Sequence, residues 1–201
     1  MLSNWHAMIC KAVEAAMEVL DAIYTRHSIK KVLPDPVSPD LVGQLLNAAV
    51  QAPNHYHVCP WRFVVLSGAA RERLGDVFAE VLKMKQPDLS RQALEIERAK
   101  PLRAPLLIAV GVDKPDDPRV VEVENICAAA AAIENLLLAA HALGLAGIWR
   151  TGSAAYEPQV KAFLGFEPDQ HLIGFLYIGY PNMPIPADAR PSFEDRTTWM
   201  N

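Results

Sequence analysis

Cysteine is scarce in this chain: three in 201 residues, at Cys10, Cys59 and Cys127. An odd number of widely spaced thiols is no disulfide framework and suits a reducing compartment, so a cytoplasmic location is expected. Glycine is also sparse, at 10 residues, and none of it falls into G-x-G-x-x-G or the Walker glycine-lysine loop; G-x-S-x-G and H-E-x-x-H are missing as well. A nucleotide-like cofactor must then be held without the common glycine fingerprints. Positive charge is not in excess: Lys plus Arg count 19 against 23 for Asp plus Glu, a net charge of -4. That excludes an electrostatic footprint for nucleic acid, and any basic site must be local. No long apolar run is free of polar groups. The longest, Ile126 to Leu143, carries Glu134, Asn135 and His141, each costly in lipid, so it reads as a buried helix and no membrane span is expected. The first residues include Trp5, His6 and Lys11 but no basic-then-apolar layout and no small-residue cleavage site, so secretion is not expected. Repeats, low-complexity tracts and linkers are lacking too.

What is present is ordinary globular material, 51% hydrophobic and 21% charged, long enough for one sizeable core, and residues 1–201 read as a single domain. Helical spacing of Ile9, Val13, Ala16, Met17 and Leu20 predicts a first helix from a Ser3 or Asn4 cap to about Thr25. Ser38-Pro39-Asp40 opens a second helix through Leu41, Leu45, Ala48 and Ala49. A strand follows over Phe63 to Leu66, then a third helix carrying Leu74, Val77, Phe78, Val81 and Leu82, broken at Gln86-Pro87-Asp88. Ser90 to Lys100 is polar and charged and reads as a solvated helix or flap without chemistry of its own. Leu106 to Val110 is a buried strand, and Val121 to Leu143 is the longest helix, closed by Gly144. Its Ala128 to Ala132 run permits close approach of another helix or of a symmetry mate, although alanine is also simply a good helix former. A strand at Ala146 to Arg150, a short helix from Glu157-Pro158 and a last strand over Leu172 to Ile178 complete the order. Helices between isolated strands, without a regular βαβ rhythm, predict an α+β fold. From residue 180 to 201 proline, aspartate and arginine dominate, a tail that cannot make its own core and either hangs free or wraps around a partner.

The densest chemistry lies in Gln51-Ala52-Pro53-Asn54-His55-Tyr56-His57-Val58-Cys59-Pro60-Trp61. Pro53 stops the second helix, and Pro60 delays the strand until Trp61, which leaves a short rigid loop. Three readings compete. In an extended segment His55, His57 and Cys59 would share a face and could hold zinc or copper, although no carboxylate or second Cys and His cluster follows at a zinc spacing. The loop could instead be packed and hydrogen-bonded, or it could wall the pocket of a flat, polar, aromatic ligand. A second concentration of charge, Arg26-His27-Ser28-Ile29-Lys30-Lys31, either complements the end of the first helix or clamps an anion. A third, Gly147-Ile148-Trp149-Arg150-Thr151-Gly152, is a strand entering a glycine-bounded turn.

Taken in order, Arg26-His27-Ser28, Gln51 to His55 leading to Pro60-Trp61, and Gly147 to Gly152 resemble the nitroreductase family of FMN-dependent oxidoreductases, in particular its short YdjA-like subgroup, over roughly residues 13 to 180. The resemblance implies an α+β nitroreductase-like fold, with a central mostly antiparallel sheet flanked by helices, in a domain-entwined homodimer with FMN at the subunit interface. It implies that Arg26, His27 and Ser28 bind FMN, that Gln51 and His55 reach the flavin of the other subunit, and that Trp149, Arg150 and Thr151 form a second flavin-binding segment. It also implies NADH or NADPH as co-substrate, with Ala139 to Gly144 matching a stretch assigned to it, and a small electron-poor acceptor such as a nitroaromatic or quinone. Residues 1–12 form an extension without a counterpart, and the tail 180–201 would wrap the partner subunit. His27 stands where a second arginine is usual, Cys59 where glutamine is common, and His57 where many members have asparagine.

Elementary chemistry agrees with this. FMN needs a dianion site, donors for its ribityl hydroxyls, and positive charge near the ring edge that becomes negative on reduction. Arg26, Lys30 and Arg150 offer charge, Ser28 and Thr151 hydroxyls, Gln51 and His55 hydrogen bonds, and Tyr56, Trp61 and Trp149 apolar faces. No side chain is required as nucleophile or general base. The expected activity is transfer of hydride from NAD(P)H through FMN to the acceptor, with ping-pong kinetics. The alternatives are a flavin-binding sensor, an enzyme of the same fold with another reaction (dehalogenation or flavin breakdown), and a metal-binding protein through His55, His57 and Cys59.

Overall fold

The computed structural model describes residues 17–186 and 190–200. The part of the first predicted helix before Met17, the extension 1–12 and Cys10 lie outside the described residues. Four antiparallel strands make one sheet in the order β1-β2-β4-β3: β1 is Trp61–Ser67, β2 Leu106–Val112, β3 Ala146–Arg150 and β4 His171–Gly179. All seven residues of β2 are buried, as its unbroken apolar run requires of a strand covered on both faces.

Helices form the outer layers. On one face α5 (Glu122–Ala142) and α2 (Pro39–Ala49) cover Leu106, Ile108, Val110 and Val112 of β2 and Leu176 and Ile178 of β4. On the other, α3 (Ala69–Lys85) and α6 (Pro158–Phe163) cover Leu107, Ala109, Phe175 and Tyr177. The alternation of strand side chains between two cores follows from the period of 2, and each fully buried Leu or Ile contributes about 1.5–3 kcal/mol. Ser38 caps α2 by accepting from the Leu41 N–H at 3.3 Å, with Pro39 at the first helical position. By length and composition α5 could cross a membrane, but Ile133, Leu136, Leu137 and Ala140 are spent on the sheet and α2. Ala128, Ala129 and Ala132 are buried there as well, so the bulkless run serves this chain's own helix packing.

The remaining helices position the site. α1, Val19–Thr25, is one short helix with only Ala22 buried. α4, Arg91–Arg98, is capped by Ser90 and docks on α3 where Gly75 leaves no room: a Cβ there would sit 2.1 Å from the Arg98 carbonyl oxygen. The polar segment after Asp88 is therefore a docked platform, with Pro101 and Ala104 buried at its exit. The tail begins against the chain: Pro181 bridges Val32, the Asn182 N–H donates to the Lys31 carbonyl at 3.0 Å, and the Arg190 guanidinium donates to the Arg26 carbonyl at 2.9 Å. Its end is open to solvent, with Trp199 79% exposed.

Candidate functional site

Beside the free edge of β3 the residues after α1 run extended. Arg26 leaves the helix at φ -65, ψ 128, Ser28 makes a parallel bridge with Gly147, and the Ile29 N–H donates to the Gly147 carbonyl at 3.2 Å. On its core side Gly147 lets β3 pack tightly, since a Cβ there would fall 2.8 Å from both Leu137 and Ile178. Ile29 is buried while Ser28 and Lys30 are exposed, so the segment anchors through one apolar residue and presents its polar ones.

Arg26 lies 3.4 Å from Glu134 through Nε, but poorly aligned, and the buried Nε makes no hydrogen bond. His27 and His141 share its hollow, with Leu137, Pro181 and Ile185. Thr25 donates its hydroxyl proton to the Asp21 carbonyl, so His141 Nε2–H donates to Thr25 Oγ1 at 2.8 Å. Partial burial, then the charge of Arg26 and of His27, holds the His141 ring below the usual histidine range.

Lys30 and Arg150 line a common cleft with Arg103 and Tyr177. The Arg150 guanidinium sits over the Tyr177 ring at 5.6 Å, and its buried Nε has no partner. Beyond it opens a cavity of about 370 Å³ lined by Trp149, Arg150, Thr151, Ser153 and, from the platform, Glu97, Lys100 and Arg103. Trp149 is fixed by a β-bulge. Val110 pairs with Gly174 and Gly111 with Leu172, which leaves Ile173 as the extra residue, and the Trp149 indole N–H donates to the Ile173 carbonyl at 3.1 Å.

Gln51 and His55 stand elsewhere. The Gln51 amide donates to its own helix at Asn47, and His55 Nδ1–H donates to Glu124 Oε2 at 2.6 Å while its ring stacks on Tyr56 at 4.1 Å. That hydrogen bond is the main reason the Glu124 carboxyl is held below its ordinary range. Glu124 also accepts from the Val121 N–H, half of a capping box that starts α5. Arg26 pairs with Glu134, ten positions further along α5, about 15 Å up the helix axis. None of the hollows lined by Arg26, Lys30 or Arg150 is lined by Gln51 or His55. The chain thus gathers Arg26, His27, Ser28, Lys30, Trp149, Arg150 and Thr151 along the β3 edge and holds Gln51 and His55 as a separate half.

Three expectations are corrected here. Metal binding by His55, His57 and Cys59 is overturned: among the described residues no three His, Cys, Asp or Glu side chains gather. The reason is backbone. Tyr56, His57 and Cys59 take φ of 52, 54 and 48, so the loop is coiled rather than extended and alternate residues share no face. Asn54 holds that coil by accepting from the Cys59 N–H at 2.8 Å. Trp61 is no ring cover, because at 6% exposure it belongs to the core beneath α2 and α5. Finally, the platform is not free of chemistry, since it brings Glu97, Lys100 and Arg103 to the cavity. A basic residue at each end of Lys100-Pro101-Leu102-Arg103, ahead of the buried strand, was the available signal.

The geometry fits FMN. Arg150 Nε is buried without a hydrogen-bond partner, Arg26 meets only Glu134 in a contact too poorly aligned for a hydrogen bond, Ser28 offers a hydroxyl in the segment between Arg26 and Lys30, and Arg150 lines a sizeable cavity. Comparison with known proteins points the same way. The model of the nitroreductase family matches residues 23–180. The chain is 30% identical over 167 residues to "Putative NAD(P)H nitroreductase YdjA" of Escherichia coli K12, which covers 83% of this chain and 90% of that protein. It is similar in structure to a nitroreductase-like family protein from Bacillus cereus, with a TM-score of 0.76 at 28% identity over 92% of this chain and 96% of the other. A "putative nitroreductase in complex with FMN" from Desulfovibrio desulfuricans gives a TM-score of 0.71 at 26% identity over 92% and 98%.

Proposed function

The chain belongs to the nitroreductase family, and from that premise we propose that it is an FMN-dependent oxidoreductase that oxidises NADH or NADPH and reduces an electron-poor acceptor, a nitroaromatic or a quinone. The observation that carries this reading is the pair of under-used guanidinium groups along the β3 edge, Arg26 with only a misaligned carboxylate contact and Arg150 with a buried, unpartnered Nε, the second of them lining an open cavity. FMN, when bound, would supply the two-electron chemistry. Arg26, His27 and Ser28 would hold its phosphate and ribityl oxygens, Trp149 and Thr151 its ring, and Lys30 and Arg150 an anionic part of it.

The protein acts as a single domain in a homodimer, in the cytoplasm, where Cys59 and Cys127, both free, stay reduced. Two features support the dimer. Gln51 and His55 line none of the hollows that Arg26, Lys30 and Arg150 line, and would serve the cofactor held by the other copy. A helix as short as α1 is also unstable by itself, yet among the described residues nothing covers its Val19, Leu20, Ile23 and Tyr24.

One cavity would admit donor and acceptor in turn. Initial rates measured over a grid of both substrates should then give parallel double-reciprocal lines, the ping-pong pattern. Lines that intersect would require both substrates bound together and would contradict the shared pocket.

A further inference from the structure

Lys30, Arg103 and Arg150 come from three distant segments: the extended run after α1, the turn after α4 and the last position of β3. They meet around one narrow crevice whose other walls are Ile29, Val32, Ala104, Ile148 and Tyr177, and Arg103 and Arg150 also line the adjoining cavity of about 370 Å³, where there is room for a ligand. No carboxylate lines the crevice. Among the described residues none of these three cations has an ion pair, whereas Arg62, Lys85, Arg98, Lys100 and Arg119 each have an acidic partner. The one acid among the described residues that line the adjoining cavity, Glu97, pairs with Lys100 at 2.5 Å. Tyr177 feels both signs of charge here: burial pushes its phenol up, Arg103 and then Arg150 pull it down, and Glu97 adds a smaller upward push.

Like charges gathered without a counter-ion cost free energy that a bound anion recovers. Nor is Arg103 there by looseness. Gly75 lets α4 dock backbone against backbone, Pro101 is buried, and Arg71 donates to the Ala104 carbonyl at 2.5 Å, so the turn that carries Arg103 is tied down on both sides.

Resting on the flavin reading above, we propose that Arg103 is a further cofactor-binding residue, which with Lys30 and Arg150 takes an anionic group of the flavin. That group is either the phosphate monoester or the ring edge that gains negative charge on reduction.

The test uses full-length protein stripped of flavin. Arg103→Met keeps the stem and removes the charge, Arg103→Gln is a second neutral variant, and Arg103→Lys restores a cation. FMN and riboflavin are titrated by flavin fluorescence, and the midpoint potential of the FMN complex is measured against a reference dye. If Arg103 reads the phosphate, the neutral variants lose about tenfold or more in FMN affinity, riboflavin binding is unchanged, and Arg103→Lys recovers part of the loss. If it faces the ring edge, FMN and riboflavin suffer alike and the potential becomes more negative. Folded neutral variants that match the parent in both affinities and in potential would overturn the inference while the flavin reading stands. A parent protein that binds no flavin would overturn both.

Discussion

Alanine in place of Gly174 is expected to lower the unfolding free energy by roughly 2–6 kcal/mol, the sum of backbone strain and overpacking. Gly174 sits at φ +147, a conformation that costs any residue with a Cβ. The space is also taken: a Cβ would lie 2.3 Å from Trp149 Nε1 and 2.8 Å from the Arg150 carbonyl oxygen. Neither can yield cheaply. The indole is tied to Ile173, and Arg150 is the last paired residue of β3, opposite Phe175. Relief requires opening the β3–β4 ladder at Arg150, which would displace Trp149, Arg150 and Thr151 together. Urea unfolding should show the shift in midpoint, and the purified variant should carry less flavin than the parent. Unchanged stability would show that the bulge does not clamp the indole as described.

The second large effect concerns Arg26. Its ion pair with Glu134 is partly exposed and misaligned, worth about 0–1 kcal/mol at most, so Arg26→Ala should unfold at nearly the parent's denaturant concentration. Its cost should fall on the cofactor instead. A charge-assisted hydrogen bond is worth roughly 1.5–3 kcal/mol, so FMN should bind about tenfold to a hundredfold more weakly by equilibrium titration. The opposite pattern, lost stability with intact FMN affinity, would mean that Arg26 only completes the end of α1.

The local part of this structure was legible in the sequence because its causes are local. Pro53 and Pro60 bound the loop, Ser38-Pro39 starts α2, Gly144 at φ +74 closes α5, and the unbroken apolar run of β2 announces a strand covered on both faces. The extended, cation-bearing segment 26–30 could be recognised by residue type alone. What escaped depends on contacts between distant segments. The pairing of His55 with Glu124 joins residues 69 apart and draws the histidine onto α5. Trp61 looked like an aromatic in a binding loop until strand register turned it into the core. Arg103 was missed because it follows a segment, Ser90 to Lys100, with the composition of a solvated face, and the notch at Gly75 that brings that segment down onto α3 and toward the β3 edge is a contact between distant parts of the chain. The positive φ values at Tyr56, His57 and Cys59 had no warning glycine or asparagine at those positions, so the loop read as extended and the metal alternative survived until its backbone was seen.

The most direct test of the account is the visible spectrum of the purified protein, reconstituted with FMN and recorded without oxygen before and after addition of NADH and, separately, NADPH. The account predicts a flavin spectrum that bleaches with at least one donor and returns when a nitroaromatic or a quinone is added. A protein that fails to take up FMN, or a bound flavin that neither nicotinamide reduces, would contradict it.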